Sequence, residues 1–245
     1  MELMGKMAIV TGATGKVGGR VAEYLAERGC RCVCHYFSNS EKAERLVERI
    51  RSNGGQGWAV QWDLGKLGSI ADFFGKCAEF GRAEILVNSA SVFERIAVED
   101  ITAEKAVETV NLNLCGPLLL CGQFSKALGA NEAGRDGIKG KIINLSDVAG
   151  ERGWGEYSLY CACKAGLNNI TKSLAKELAP GICVNAVALG VIEGGFSEGE
   201  MERQIQMVPV GRAGKAEEVC HAIGALLEND YITGEILRVD GGRGI

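Results

Sequence analysis

At 245 residues, 47% hydrophobic and 24% charged, the chain is long enough to bury a large core within one α/β domain. Its formal net charge of −4 excludes a nucleic-acid binder that works by general electrostatics, because neutralising phosphates needs a basic face. The longest apolar run, Leu112 to Cys121, is broken by Asn113, Gly116 and Pro117 and falls short of the roughly 20 residues a membrane span requires.

The opening segment MELMGKMAIV has neither a basic n-region nor a cleavage pattern, so no secretory leader is expected and the chain reads as cytoplasmic. Met7 to Val10 reads as a buried strand. A glycine-rich turn follows, and Val17, Val21 and Leu25 then recur at helical spacing up to Gly29. Arg31 to Phe37 reads as a second strand, and Ala43, Leu46, Val47 and Ile50 mark a second helix. Gln56 to Trp62 is a third strand, followed by a helical face at Ile70, Phe73, Phe74 and Cys77. Ile85 to Asn88 is a fourth. A helix over Ala103 to Leu128, a strand at Lys141 to Leu145, a helix from Tyr157 to Leu178 and a strand at Cys183 to Ala188 come next. A helix at Ala216 to Leu227 and a strand at Ile236 to Val239 close the chain. Alternation of this kind needs crossover connections. It therefore predicts an α/β fold: one doubly wound (Rossmann) domain over residues 1–245, with a parallel seven-stranded sheet covered by helices on both faces. The acidic, glycine-rich stretch Gly190 to Gln206 lies where a mobile lid is expected.

The ten cysteines do not form a metal or disulfide pattern. Cys30, Cys32 and Cys34 alternate along a strand, about 6.5–7 Å apart on one face, which suits packing better than a tetrahedral zinc. There is no C-x-x-C, and His35 and His221 stand alone. Reduced, buried thiols and no metal are expected.

Thr11–Gly12–Ala13–Thr14–Gly15–Lys16–Val17–Gly18–Gly19 lies between the first strand and the first helix. Glycines there let the backbone approach a dinucleotide diphosphate, and the helix N-terminus offers free N–H groups. The second strand ends His35–Tyr36–Phe37–Ser38–Asn39–Ser40 without the carboxylate that would bind a ribose diol and repel a 2′-phosphate. The expected cofactor is therefore NADP(H), with hydroxyls, an amide and Lys16 available to the phosphate. Asp63–Leu64 follows the third strand, where the carboxylate can accept from an adenine amino group or cap a helix. Asn88–Ser89–Ala90–Ser91, after the fourth strand, suits either a crevice floor or a plain turn.

Tyr160 and Lys164 stand one helical turn apart on the same face. A neighbouring ammonium stabilises tyrosinate and is expected to lower the phenol's pKa towards neutrality, making Tyr160 a proton donor. Asn113 sits mid-helix, where its propensity is poor, either as a buried amide or at a distortion carrying a water relay to Lys164.

In this order, the glycine turn, Asn88–Ser89–Ala90–Ser91, Asn113, Tyr160 with Lys164, Asn185 to Gly190, Gly234 and Asp240–Gly241–Gly242 resemble the short-chain dehydrogenase/reductase family over essentially the whole chain. The resemblance implies Tyr160 as proton donor, Lys164 holding the nicotinamide ribose, Asn113 in the relay and backbone near Gly190 and Ile192 at the carboxamide. It also implies a homotetramer acting on a small molecule. Among the positions that depart from the common family pattern, four bear on the substrate. Asp147 stands thirteen residues before Tyr160, where the family's serine is usual; Lys16 replaces a loop glycine; and Ser91 and Phe93 follow strand four. Each departure is similar to the pteridine reductase branch, which places Lys16, Ser91, Phe93, Asp147 and Tyr160 at the substrate.

Physics points the same way. A carboxylate would repel the oxyanion that develops during ketone reduction, but suits the ring N–H and amino groups of a pterin, which Phe93 could stack against the nicotinamide. Ser146 is the alternative to Asp147 if the strand register shifts by one. Two rival functions stay open. One is a 3-oxoacyl-thioester or general carbonyl reductase, with Arg135, Lys139 and Lys141 available to dock an acidic acyl carrier. The other is a non-catalytic NADP-sensing protein.

Overall fold

Met7–Val10 is apolar and buried at all four positions, as a strand covered on both faces must be. In the computed structural model, which describes residues 1–129 and 137–245, this strand is β1. With β2 (Arg31–Tyr36), β3 (Gln56–Gln61), β4 (Ile85–Asn88), β5 (Gly140–Asp147), β6 (Ile182–Leu189) and β7 (Ile236–Val239) it forms a seven-stranded sheet in the order β3-β2-β1-β4-β5-β6-β7. Every neighbouring pair is parallel. The crossovers carry α1 (Lys16–Glu27), α2 (Ser40–Ser52), α3 (Ile70–Ala78), α4 (Ala103–Val110), α5 (Gly116–Leu128), α6 (Ser158–Glu177), α7 (Glu198–Ile205) and α8 (Ala216–Glu228). β2 stops one residue before the expected Phe37, whereas β5 continues two residues past Leu145 and so carries Asp147 to its very end.

Alternating side chains divide the interior into two cores. Ala8 and Val10 face the first with Leu25 of α1, Leu46 of α2 and Ile223 of α8. Met7 and Ile9 face the second with Phe73 of α3, Phe124 of α5 and Leu174 of α6. Cys30, Cys32 and Cys34 all pack in the first core. All ten thiols are free and nine are buried; burial pushes Cys34 and Cys121 up to about 12, which keeps them unreactive.

The expected helix over Ala103 to Leu128 is α4 and α5 joined by a π-helical turn at Asn111–Cys115. Pro117 is the physical reason: it has no N–H to continue the α ladder and sits at the start of α5, where none is needed. The segment Gly190 to Gln206, read as a lid, contains the ordered helix α7.

The strand order reverses between β1 and β4. Loops leaving the carboxyl ends of those strands diverge to opposite faces, and a crevice opens between them.

Candidate active site

A cavity of about 1160 Å³ occupies that crevice and draws its walls from the ends of β1 to β6. At one end, α1 begins with no side-chain cap on its N–H groups and no acidic residue in its first turn. The free donors and the unopposed positive end of the helix dipole suit an anion. Gly12 adopts φ +63°, and a Cβ there would meet the Ala90 backbone at 2.8 Å; one on Gly18 would meet the Gly12 carbonyl oxygen at 2.5 Å. The cradle therefore exists only because both residues lack side chains.

His35 holds this cradle from beneath. It is buried, its Nδ1 accepts from the Gly12 N–H at 3.0 Å, and its Nε2 lies 3.1 Å from the Trp62 carbonyl oxygen. Those partners assign the neutral ring with hydrogen on Nε2. Burial lowers its pKa to about 4 from an ordinary 6.5. Because the folded value is depressed, the stability His35 contributes is complete above pH 6.5 and is lost as pH falls towards 4. The full effect is on the order of 3 kcal/mol. The urea midpoint of the wild type is expected to drop more between pH 7 and pH 5 than that of His35→Gln. Equal drops would remove His35 as the source.

The other end is built where β5 ends and α6 begins. Asp147 closes β5, and its Oδ1 accepts from the Ala149 N–H at 2.8 Å. Its Oδ2 accepts from the Tyr160 hydroxyl at 3.0 Å. One turn along α6, the Lys164 ammonium donates to the Leu145 carbonyl oxygen at 2.9 Å and lies 5.4 Å from the centre of the Tyr160 ring. Tyr160 and Lys164 are both buried. Burial raises the Asp147 carboxyl, against the pull of the Ala149 N–H and Lys164. Burial also brings Lys164 down to about 8. Tyr160 is pushed well above the ordinary phenol value, by burial first and Asp147 second, so the expected acidification by Lys164 is overturned. A phenol hydrogen-bonded to a carboxylate inside a dry cavity keeps its proton.

A cluster of aromatic rings closes this end. Phe93 stacks on Tyr157 with centroids 4.7 Å apart and planes 12° from parallel, and meets Tyr160 edge-on at 4.8 Å and Phe196 at 5.6 Å.

A family profile described as enoyl-(acyl carrier protein) reductase matches residues 12–243. A solved short-chain dehydrogenase/reductase from Serratia marcescens superposes with a TM-score of 0.91 at 26% identity, covering 100% of both chains. The chain belongs to the short-chain dehydrogenase/reductase family. This short-chain dehydrogenase/reductase is also 35% identical over 246 residues to the 3-oxoacyl-[acyl-carrier-protein] reductase of Synechocystis, covering 98% of this chain and 97% of the relative. The FolM alternative dihydrofolate reductase 1 of Brucella canis, solved with NADP, matches at 27% identity with a TM-score of 0.89, over 99% of this chain and 95% of that one.

In this short-chain dehydrogenase/reductase, Gly12, Thr14, Lys16, Val17, Gly18, His35, Asp63, Leu64, Ser89, Ala90, Ser91, Phe93, Asp147, Tyr160, Lys164 and Ile192 all line the one cavity. Asp63 Oδ1 accepts from the Gly65 N–H, a turn bond that leaves Oδ2 available. Lys16 lies against Gly194, whose Cβ would fall 3.0 Å from its ammonium. Other expected residues serve elsewhere. Asn88 is buried and donates to Asn144 Oδ1 at 2.8 Å, and Gly190 packs against the Asp240 backbone. Tyr36 and Ser38 lie outside the cavity wall, which takes His35 and Phe37 from that strand end instead. The Asn113 amide is consumed by the loop after β4: its Oδ1 accepts from Ser91 Oγ and the Val92 N–H, and its Nδ2 donates to the Val92 carbonyl oxygen at 2.8 Å. Its side chain thus clamps the Ser91–Phe93 turn, and Asn113 lies within the π-helical distortion, facing Pro117, which has no N–H to offer its carbonyl oxygen. Ser146 lines the cavity together with Asp147, its Oγ buried without a hydrogen-bond partner, and it is the Asp147 carboxylate that accepts from the phenol.

Phe37, one residue past the end of β2, also lines the wall; a strand read through Phe37 would place it on the His35 face at period two. The α4 wall, Glu104, Val107 and Glu108, carries no motif and depends on the helix docking. Of the basic residues read as a carrier dock, Lys141 is fully buried and ion-paired to Asp230 at 2.8 Å, and Arg135 lies outside the described residues.

Proposed function

We propose that this protein is an NADP(H)-dependent reductase of pteridine-like rings of the dihydropterin and dihydrofolate class. The Asp147–Tyr160 hydrogen bond inside the cavity carries the reading. Carboxylate acceptors match the N–H and amino edge of a pterin, whereas a charge there opposes the oxyanion of a reduced ketone.

The residues present fit the dinucleotide. Uncapped α1 donors and the Gly12 and Gly18 cradle take the diphosphate, and no acid from β2 lines the wall to repel a 2′-phosphate. Bound NADPH supplies the hydride. Asp147 orients the ring through its free lone pairs and holds the Tyr160 hydroxyl beside the ring nitrogen. Tyr160 gives that nitrogen its proton, and Lys164 stands behind the phenol ring to balance the charge left on it. Exposed Leu118 and Leu119 on α5 support self-association, which we take to be into a homotetramer.

A second reading, reduction of 3-oxoacyl thioesters, is favoured by the name and 35% identity of the Synechocystis relative. NADPH oxidation with dihydrobiopterin or dihydrofolate, set against acetoacetyl thioester, separates the two. Asp147→Ser is expected to lower pterin turnover by about tenfold or more, since a hydrogen bond to a charged group is lost. Thioester reduction by the wild type without pterin turnover would establish the second reading in place of the first.

A further inference from the structure

Beside the catalytic cavity lies a second one of about 380 Å³, walled in part by Trp154, Tyr157, Arg203 and Arg243. The two share a partition, because Phe93 lines the first, Tyr157 lines the second, and their rings are stacked. Arg95 and Glu156, also in the second wall, are paired with each other. Glu200 then faces two guanidiniums that have no carboxylate within ion-pair distance among the described residues. Arg243 lies 5.7 Å over the Trp154 ring and donates to Gln204 Oε1 at 3.2 Å, yet its Nε is buried with no partner. A buried donor without an acceptor is costly, and a guanidinium presents its donors as a fork matched to a carboxylate.

We propose that this second cavity is a subsite for the tail of the substrate: an aryl group seated on Trp154 that ends in a carboxylate held by Arg203 and Arg243. The proposal rests on the pteridine reading of the catalytic cavity. A ring bound beside Phe93 would send its substituent past the Phe93–Tyr157 partition and into the arginine cavity. An aryl-amide dicarboxylate uses both the aromatic wall and the cations. The phosphate-bearing arm of a carrier thioester has no aryl group for Trp154 to meet.

Steady-state kinetics with dihydrofolate, which has such a tail, and dihydrobiopterin, which lacks it, test the assignment. In Arg203→Gln the KM for dihydrofolate is expected to rise about tenfold, with kcat and the KM for dihydrobiopterin within about twofold of wild type. Arg243→Lys keeps the charge but loses the fork, and is expected to show the same selectivity with a smaller rise. Calorimetry with p-aminobenzoyl-glutamate reads the subsite without turnover, and binding by the wild type is expected to be lost in Arg203→Gln. Equal changes for both substrates, or no change for either, would overturn the subsite. If neither pterin is turned over, the pteridine reading fails by itself. Calorimetry then decides the subsite: fragment binding lost in Arg203→Gln upholds it, and no binding to the wild type overturns it.

Discussion

Tyr160→Phe is expected to lower kcat by about a thousandfold, within the range that general acid catalysis supplies. NADPH affinity is expected to stay within about twofold of wild type, because the substitution removes a single oxygen atom that faces Asp147. The size of the effect follows from the site. The phenol is hydrogen-bonded to the Asp147 carboxylate inside the cavity, and burial and that carboxylate hold its pKa up, so it carries a proton at working pH. Stopped-flow measurement of NADPH oxidation, with a fluorescence titration for binding, separates the two parameters. A kcat within tenfold of wild type would end the proton-donor assignment.

Gly18→Ala is expected to act on binding where Tyr160→Phe acts on chemistry. Its new methyl would fall 2.5 Å from the Gly12 carbonyl oxygen and 2.9 Å from Ser89 Oγ. The serine can rotate away; the carbonyl cannot, since Gly12 is held from below by His35. The loop must therefore open, at a cost of about 1–3 kcal/mol typical of overpacking. Because the displaced backbone is the one that would face the diphosphate, we expect the Kd for NADPH to rise by about tenfold to a hundredfold. Fluorescence titration reads this directly, and a Kd within twofold of wild type would show that the cradle does not hold the cofactor.

Regular elements were legible because the chain advertises them. Met7–Val10 and Ile85–Asn88 are short apolar runs followed by small or glycine-rich turns, and in the structure every residue of both is buried. Tyr160 and Lys164 could be paired because they lie one helical turn apart; Asp147 joined them only through the family resemblance, since the strand read from the sequence stopped at Leu145 and its extension to Asp147 appears only in the structure. The roles of His35 and Asn113 were hidden for a shared reason. Each is a polar side chain whose partners are backbone atoms of another element, Gly12 and Trp62 for one and Val92 for the other. Such bonds follow from docking and leave no periodic trace. The Tyr160 pKa was misjudged because spacing along a helix reveals the nearby cation but not the burial that outweighs it. Trp154, Arg203 and Arg243 meet only through the packing of the α6 approach, α7 and the C-terminal segment, so no local pattern could have joined them.

The π-helical turn between α4 and α5 restricts how this part of the chain can vary. A π-helical turn holds one residue more than an α-helical one, so deleting one residue from Asn111–Cys115 would let the α ladder close and run α4 into α5, with Leu120, Cys121 and Phe124 still facing inward. The same deletion would pull Asn113 off Val92 and loosen the Ser91–Phe93 turn. The extra residue of the turn is thus tied to the cavity wall, through Asn113, more than to the packing of the two helices.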